Sequence, residues 1–385
     1  MGLPLGHRPM YETKTMGRMK LALCLPGGGV TGGMYQIGAL SALEDMLEGL
    51  AARGFDLYVG TSSGATVAAA LAGGLPVHRL YRALLDPADD YFPLERGHLT
   101  RMDFDEWRRT IVTAFGALRS GVHSLTSRTP SPKDLWEQLE RFYDSLPAGL
   151  FTLDAFERFL EEFFLRRGVS NSFPGLVHPL RVVAHDLDSG DRILFGAPGY
   201  DDVPVSRACC ASTALPLFYS PVRIQDRHYI DGGVGRVGHM DVAESEGADL
   251  VVLVNPMVPV RADMSGVPTG HGARPSVRDK GLMWVYNQAM RIGVHARLHH
   301  ALGISKSNGF AAGANLRIPL LLIEPQPTDA VLFMHNPASF TARRTILEYA
   351  YKTTRDRVAL WTDANRSLIE RAGFRITPGQ RRVSP

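Results

Sequence analysis

The stretch LALCLPGGGVTGG, residues 21–33, sets the fold. Leu21–Leu25 is a short, continuously apolar run, the pattern of a strand buried on both faces. It breaks on Pro26 and three glycines. From Gly33 a helical spacing takes over, with Ile37, Leu40, Leu43, Leu47 and Leu50 three and four residues apart. The same order then repeats. Phe55–Val59 is a second strand candidate and runs into Gly60-Thr61-Ser62-Ser63-Gly64. An alanine-rich helix follows over Ala65–Ala72 and stops at Gly73-Gly74, with Pro76 beyond. Strand, helix, strand, helix predicts an α/β fold with a parallel sheet.

Further along, residues 86–170 are rich in charge and aromatics and read as a helical insertion. Asp134–Tyr143 and Leu153–Leu165 look amphipathic. In the second, Leu153, Phe156, Phe159, Leu160, Phe163 and Phe164 form one apolar stripe. That stripe suits packing on the core, or a cap over an acyl-binding pocket. Leu180–Ala184, Arg192–Phe195, Leu250–Val254 and Leu320–Ile323 are strand candidates, and Asp186–Gly190 a turn. Arg207–Leu215 reads as a small-residue helix capped by Ser206. Residues 261–280 read as an exposed loop, Gly281–Leu302 as a basic helix that presents a solvated face or, alternatively, contacts an anionic membrane, and Thr341–Glu370 as helical. The domain reading is therefore a leader over 1–19, a main α/β domain over 20–260 that carries the helical insertion, and a C-terminal region over 261–385 packed upon it.

The composition is that of an ordinary globular protein. Of 385 residues, 45% are hydrophobic and 21% charged, enough for a sizeable core. Lys and Arg number 42 against 39 Asp and Glu, a net charge of +3. That balance gives no electrostatic footprint for nucleic acid, and none is expected as a partner. Cys24, Cys209 and Cys210 have neither disulfide-framework nor metal-ligand spacing, and read as buried residues in a reducing compartment. No apolar segment reads as a signal peptide or membrane span. The expectation is a cytoplasmic protein whose lipid contact, if any, is peripheral to the membrane.

Three motifs carry chemistry. Gly60–Gly64 fits G-x-S-x-G, which exposes a serine on a sharp strand-to-helix turn and leaves the following N–H free to hold an oxyanion. Ser62 is the nucleophile candidate. Ser63 competes, but lacks the one-residue spacing from both glycines. In residues 26–33, Gly27, Gly29 and Gly32 also satisfy G-x-G-x-x-G, so the loop could hold a nucleotide or an oxyanion. A dinucleotide site wants an acid at the end of the second strand. Asp56 stands at that strand's beginning instead, which favours the oxyanion. Asp231-Gly232-Gly233 is by itself a turn.

Taken in order, glycine loop, G-x-S-x-G and D-G-G resemble the patatin-like phospholipase family. VVAHDLDSG (182–190), ACCASTALPLFYSPV (208–222) and the segment 229–255, with DGGVG and GADLVVLVN, extend the resemblance over residues 20–256. The resemblance implies a three-layer α/β/α fold with a central, mostly parallel sheet. It implies hydrolysis of fatty acyl esters in phospholipid or neutral lipid through a Ser62–Asp231 dyad, with no metal or other cofactor. Gly27, Gly28, Gly29 and Ser63 would then supply oxyanion N–H groups. Two positions depart from the family pattern. Thr31 stands where a basic residue is usual, and His239 where a proline is often found nearby. Competing readings are a lipid-binding or regulatory protein on the same fold, an α/β-hydrolase with a Ser-Asp-His triad completed by His295, His299, His300 or His335, and a nucleotide-binding module. The residues leave the oligomeric state open.

Overall fold

The computed structural model describes residues 18–102, 107–108, 110–112, 136, 140, 146–260, 276–303, 317–326, 329, 331, 335 and 339–377. Residues 1–17 of the leader, most of the helix expected over 134–143 and residues 261–275 of the loop expected over 261–280 lie outside the described residues.

The centre of the molecule is an eight-stranded mixed sheet. In chain order its strands are β1 (Leu21–Leu25), β2 (Leu57–Gly60), β3 (Leu180–Asp186), β4 (Arg192–Phe195), β5 (Val222–Ile224), β6 (Arg227–Asp231), β7 (Leu250–Val254) and β8 (Leu320–Ile323). Across the sheet they run β8-β7-β1-β2-β3-β6-β5, with β4 on the other edge of β3. The block from β8 to β3 is parallel. The strands β4, β5 and β6 add antiparallel pairs.

Strand β1 is apolar throughout because both its faces are covered. Leu21, Leu23 and Leu25 enter one hydrophobic cluster, and Ala22 and Cys24 enter the other. Helices α1 (Gly29–Met46) and α2 (Ser63–Ala72) supply the first cluster, together with α3 (Val77–Leu85), α4 (Asp154–Arg167) and α5 (Val205–Thr213). The opposite face is covered by α6 (Met240–Ser245) and α7 (Leu282–Ala301). This is the three-layer α/β/α arrangement. All three cysteines are buried and unpaired in these layers.

The C-terminal region is part of the same core. It contributes β8 to the sheet edge and α8 (Arg343–Ala364), which buries Ile346, Leu347 and Ala350 beside α1. The helix expected over 341–370 breaks at Asn365, and α9 (Arg366–Arg371) follows.

Several expectations need correction. Helix α1 starts at Gly29, inside the glycine loop, rather than at Gly33. Ser206 does not cap α5. The cap position is Pro204, and buried Ser206 instead bonds Asn171. The basic helix α7 is not simply solvated, because Arg291 and His299 are buried. The stripe of α4 packs into the core, with Phe156, Phe159, Phe163 and Phe164 buried. Phe156 also lines the large cavity described below.

Candidate active site

The register of β3 creates the site. Its first residues, Leu180–Val182, pair in parallel with Tyr58–Gly60 of β2. Its last residues, Ala184–Asp186, pair antiparallel with Tyr229–Asp231 of β6. Strands β2 and β6 therefore lie end to end along one edge of β3, with their C-terminal ends facing each other across Val183. The chain leaving each strand must turn at that gap. A Cβ added to Gly232 would come 3.0 Å from Thr61 Cγ2, which shows how closely the two turns meet.

The turn after β2 holds Ser62 at φ 55°, ψ −129°, a left-handed backbone that a side chain rarely adopts. Such strain costs on the order of 1–3 kcal/mol and persists only where surroundings over-determine it. Three contacts do so here. The Ser62 N–H donates to Ser212 Oγ at 2.8 Å, and that hydroxyl donates onward to the Val183 carbonyl at 2.5 Å. A Cβ on Gly64 would sit 2.0 Å from the Leu25 carbonyl oxygen, so only glycine lets α2 start this close to β1. A Cβ on Gly27 would lie 2.7 Å from Ser62 Cβ, so the glycine loop presses directly on the serine.

Gln36, fully buried on α1, donates to the Pro26 carbonyl at 2.5 Å and fixes the start of that loop. The hydrogen-bond network among the described residues uses none of the N–H groups of Gly27, Gly28, Gly29 or Ser63. The first turns of α1 and α2 converge here, and helix N-termini favour negative charge.

Asp231 ends β6 and is 3% exposed. Its carboxylate accepts from the Gly233 N–H at 2.7 Å and lies beside the Ser62 side chain. Burial pushes its pKa up to about 6, and the neighbouring Ser62 hydroxyl and Gly233 N–H hold the rise in check. Ser62 and Asp231 share a small chamber of about 60 Å3 with Gly27, Gly28 and Gly29. No Lys or Arg is among its described lining residues. Thr31 is buried on α1. His239 also lines the chamber, at φ 46°, a conformation closed to proline. Burial pushes its pKa down to about 3, so it is neutral there.

On its other side Ser62 opens into a cavity of about 480 Å3. The walls are mainly apolar, with Met34, Ile37, Val67, Leu84, Phe156 and Leu215 among them. The size is that of a pocket for a small organic molecule. Met283, Tyr286, Met290 and Phe340 from the C-terminal region complete it.

Of the residues expected from sequence, Ser62, Asp231 and the three glycines come together, and Ser63 stands beside them at the start of α2. None of His295, His299, His300 or His335 is among the described lining of either cavity. Asp56 is remote in role as well as place, since it accepts the Leu21 N–H at 2.8 Å and ties the strand beginnings together. Sequence reasoning missed Ser212 and Arg291. Ser212 lies in a small-residue helix with nothing to mark it. Buried Arg291 donates to the carbonyls of Pro256 and Val258 at 3.1 and 3.0 Å and holds the segment against which Gly28 packs.

The strand-to-helix turn bearing Ser62, the glycine loop, the end of β6 and an apolar cavity thus form one site. The family model described as patatin-like phospholipase matches residues 23–239, more than half of the chain. The chain belongs to the patatin-like phospholipase family, a class of lipid hydrolases. No curated protein matches it significantly. Among solved structures it is similar to VipD from Legionella pneumophila, with 17% identity, 89% of this chain and 67% of that chain covered, and a TM-score of 0.38. It is also similar to human GIVD cytosolic phospholipase A2 in complex with methyl gamma-linolenyl fluorophosphonate, at 12% identity and TM-score 0.37, covering 92% of this chain and 59% of that one. A third likeness is ExoU of Pseudomonas aeruginosa, in complex with SpcU, at 14% identity and TM-score 0.29, covering 92% and 62%. The chain spans about two thirds or less of each of these proteins. The likenesses are distant, and family membership rests on the sequence match.

Proposed function

We propose that this protein hydrolyses fatty acyl esters of membrane lipids, with Ser62 as nucleophile and Asp231 as general base. The observation that carries the reading is the head-on approach of β2 and β6. It sets a strained serine beside a buried carboxylate, at the neck between an apolar cavity and an N–H-lined chamber.

In the first step Ser62 Oγ attacks the ester carbonyl while Asp231 takes its proton. The carbonyl oxygen becomes an oxyanion in the small chamber. Among the described residues no cationic side chain lines that chamber, so the charge falls to the free N–H groups of Gly27, Gly28, Gly29 and Ser63 and to the two helix N-termini. This is how the site works with Thr31 in place of a basic residue. Collapse of the intermediate breaks the ester C–O bond, and Asp231 returns the proton to the departing alcohol. Water then attacks the acyl-serine, giving its proton to Asp231. Breaking of the Ser62 Oγ–acyl bond, with return of that proton from Asp231 to Oγ, releases the fatty acid and restores both side chains. A carboxylate with a pKa of about 6 is a stronger base than an exposed aspartate and remains ionised at neutral pH.

The apolar cavity takes the acyl chain. Exposed Leu217, Leu282 and Val285 are sequence neighbours of the lining residues Phe218, Met283 and Tyr286, so the mouth presents apolar side chains to a lipid surface. No helix among the described residues is long and apolar enough to cross a membrane. Contact with lipid is therefore assigned to this surface.

Fatty-acid release from phospholipid vesicles, compared for wild type, Ser62→Ala and Asp231→Asn, tests the proposal. Loss in both folded variants supports it, and full activity in Ser62→Ala refutes it. Binding of lipid without turnover by the wild type would favour a lipid-binding protein on this fold.

A further inference from the structure

Helix α7 carries a second cluster of reactive side chains that ester hydrolysis does not use. His295 and His299 stand one helical turn apart with their rings stacked, centroids 3.8 Å apart and planes inclined by 23°. Glu324, immediately after β8, faces them and places Oε2 3.1 Å from His299 Nε2. One ligand atom from each of the three residues lies within 4.8 Å of the others.

The surroundings orient this carboxylate. Its second oxygen accepts from Asn255 Nδ2 at 2.7 Å. The Arg357 guanidinium bonds the Glu324 backbone carbonyl. His299 and Glu324 pair with each other, while His295 has no hydrogen-bond partner among the described residues. The side chains of His299 and Glu324 are 10% and 13% exposed, so a small solute can reach them.

Two imidazoles at i and i+4 on one helix, with one carboxylate from just beyond a neighbouring strand, form a three-ligand donor set for zinc, with water as fourth ligand. Bonds of about 2.0–2.2 Å place tetrahedral ligands roughly 3.4 Å apart, so the cluster closes with shifts on the order of an ångström. Asn255 supplies the outer hydrogen bond that ligating carboxylates usually have.

We propose that His295, His299 and Glu324 bind one zinc-class divalent ion. The ion straps α7 to the sheet edge behind the glycine loop. The path is short: Asn255 precedes Pro256, whose ring would lie 2.7 Å from a Cβ on Gly28, and Arg291 on the same helix holds the Pro256 carbonyl. The role is structural, since none of the three ligands lines the described cavities.

The test uses the full chain, stripped by a chelator and dialysed against zinc chloride, beside His295→Gln and Glu324→Gln. Bound metal is counted by mass spectrometry and unfolding midpoints are recorded with and without zinc. The expected result is one zinc equivalent more in wild type than in either variant. Zinc should raise the wild-type midpoint by several degrees and leave the variants unmoved, and magnesium and calcium should have no effect. Cobalt(II) should give a tetrahedral visible absorption band in wild type alone. His295→Gln leaves the His299–Glu324 pair in place, so a zinc-free midpoint equal to wild type shows that it folds. Wild type that holds no zinc, or a His295→Gln protein that holds as much as wild type, overturns the proposal.

Discussion

Replacing Asp231 with asparagine is expected to slow hydrolysis severely and, at alkaline pH, to stabilise the fold. The two effects share one cause. The Asp231 carboxyl is 3% exposed and its pKa rises from 3.8 to about 6. Below the unfolded-state value the group is protonated in both states and contributes no difference. As pH rises, the unfolded chain ionises first and the folded protein must then hold a buried charge. The stability present at acid pH is lost through pH 6, by on the order of 3 kcal/mol for a shift of about two units. Asparagine keeps an acceptor for the Gly233 N–H and removes the charge. Chemical denaturation should therefore find Asp231→Asn more stable than wild type at about pH 8, by up to roughly 3 kcal/mol, and level with it near pH 4. In the wild type, kcat/KM on a soluble ester should rise about tenfold per pH unit below 6 and then level off, because only the ionised carboxylate is a base. The variant should lose about 10²–10⁴-fold. A pH–rate profile without an inflection between about pH 5 and 7, or a variant less stable than wild type at about pH 8, would refute the assignment of a buried, proton-accepting Asp231.

Other perturbations probe the parts around that pair. Ser212→Ala strands the Ser62 N–H and the Val183 carbonyl; denaturation should show a loss of about 1–3 kcal/mol, and kinetics a fall in kcat at nearly constant KM. In Gly64→Ala the new methyl meets the Leu25 carbonyl oxygen at 2.0 Å, so unfolding should report a cost of about 3 kcal/mol or more, together with loss of activity as Ser62 moves. Leu282→Asp combined with Val285→Asp should cut hydrolysis of vesicles at least about tenfold while leaving a short soluble ester nearly unaffected, since both side chains are exposed and adjoin the lining residues Met283 and Tyr286 without lining the cavity themselves. Arg291→Met leaves the Pro256 and Val258 carbonyls without their donor. Calorimetry should show a drop on the order of 2–4 kcal/mol.

The parallel part of the sheet was legible because its physics is local. A strand covered on both faces must be apolar at every position, and Leu21–Leu25 and Leu250–Val254 announce this directly. The break at Pro26 and the G-x-S-x-G turn are local too, since each is forced by backbone geometry within a few residues. Arg291 and His299 were not legible for the opposite reason. A basic residue on a helix reads as solvated unless its partners are known, and these partners are carbonyls after β7 and a carboxylate after β8.

The approach of Ser62 to Asp231 belongs to the same class of information. Nothing within either motif requires it. It follows from β3 offering its first three pairing positions to one strand and its last three to another running the opposite way. That register points two strand ends at each other, and a carboxylate then meets a hydroxyl in a space too small and too apolar to keep the carboxyl fully ionised without help. The strained backbone of Ser62 is tolerated because the same gap at Val183 supplies the carbonyl that orients Ser212, which in turn holds the Ser62 N–H. One edge of one strand thus positions the serine, the aspartate and the support for the serine. A shift of β6 by a single residue would turn Asp231 to the other face of the sheet and separate the pair.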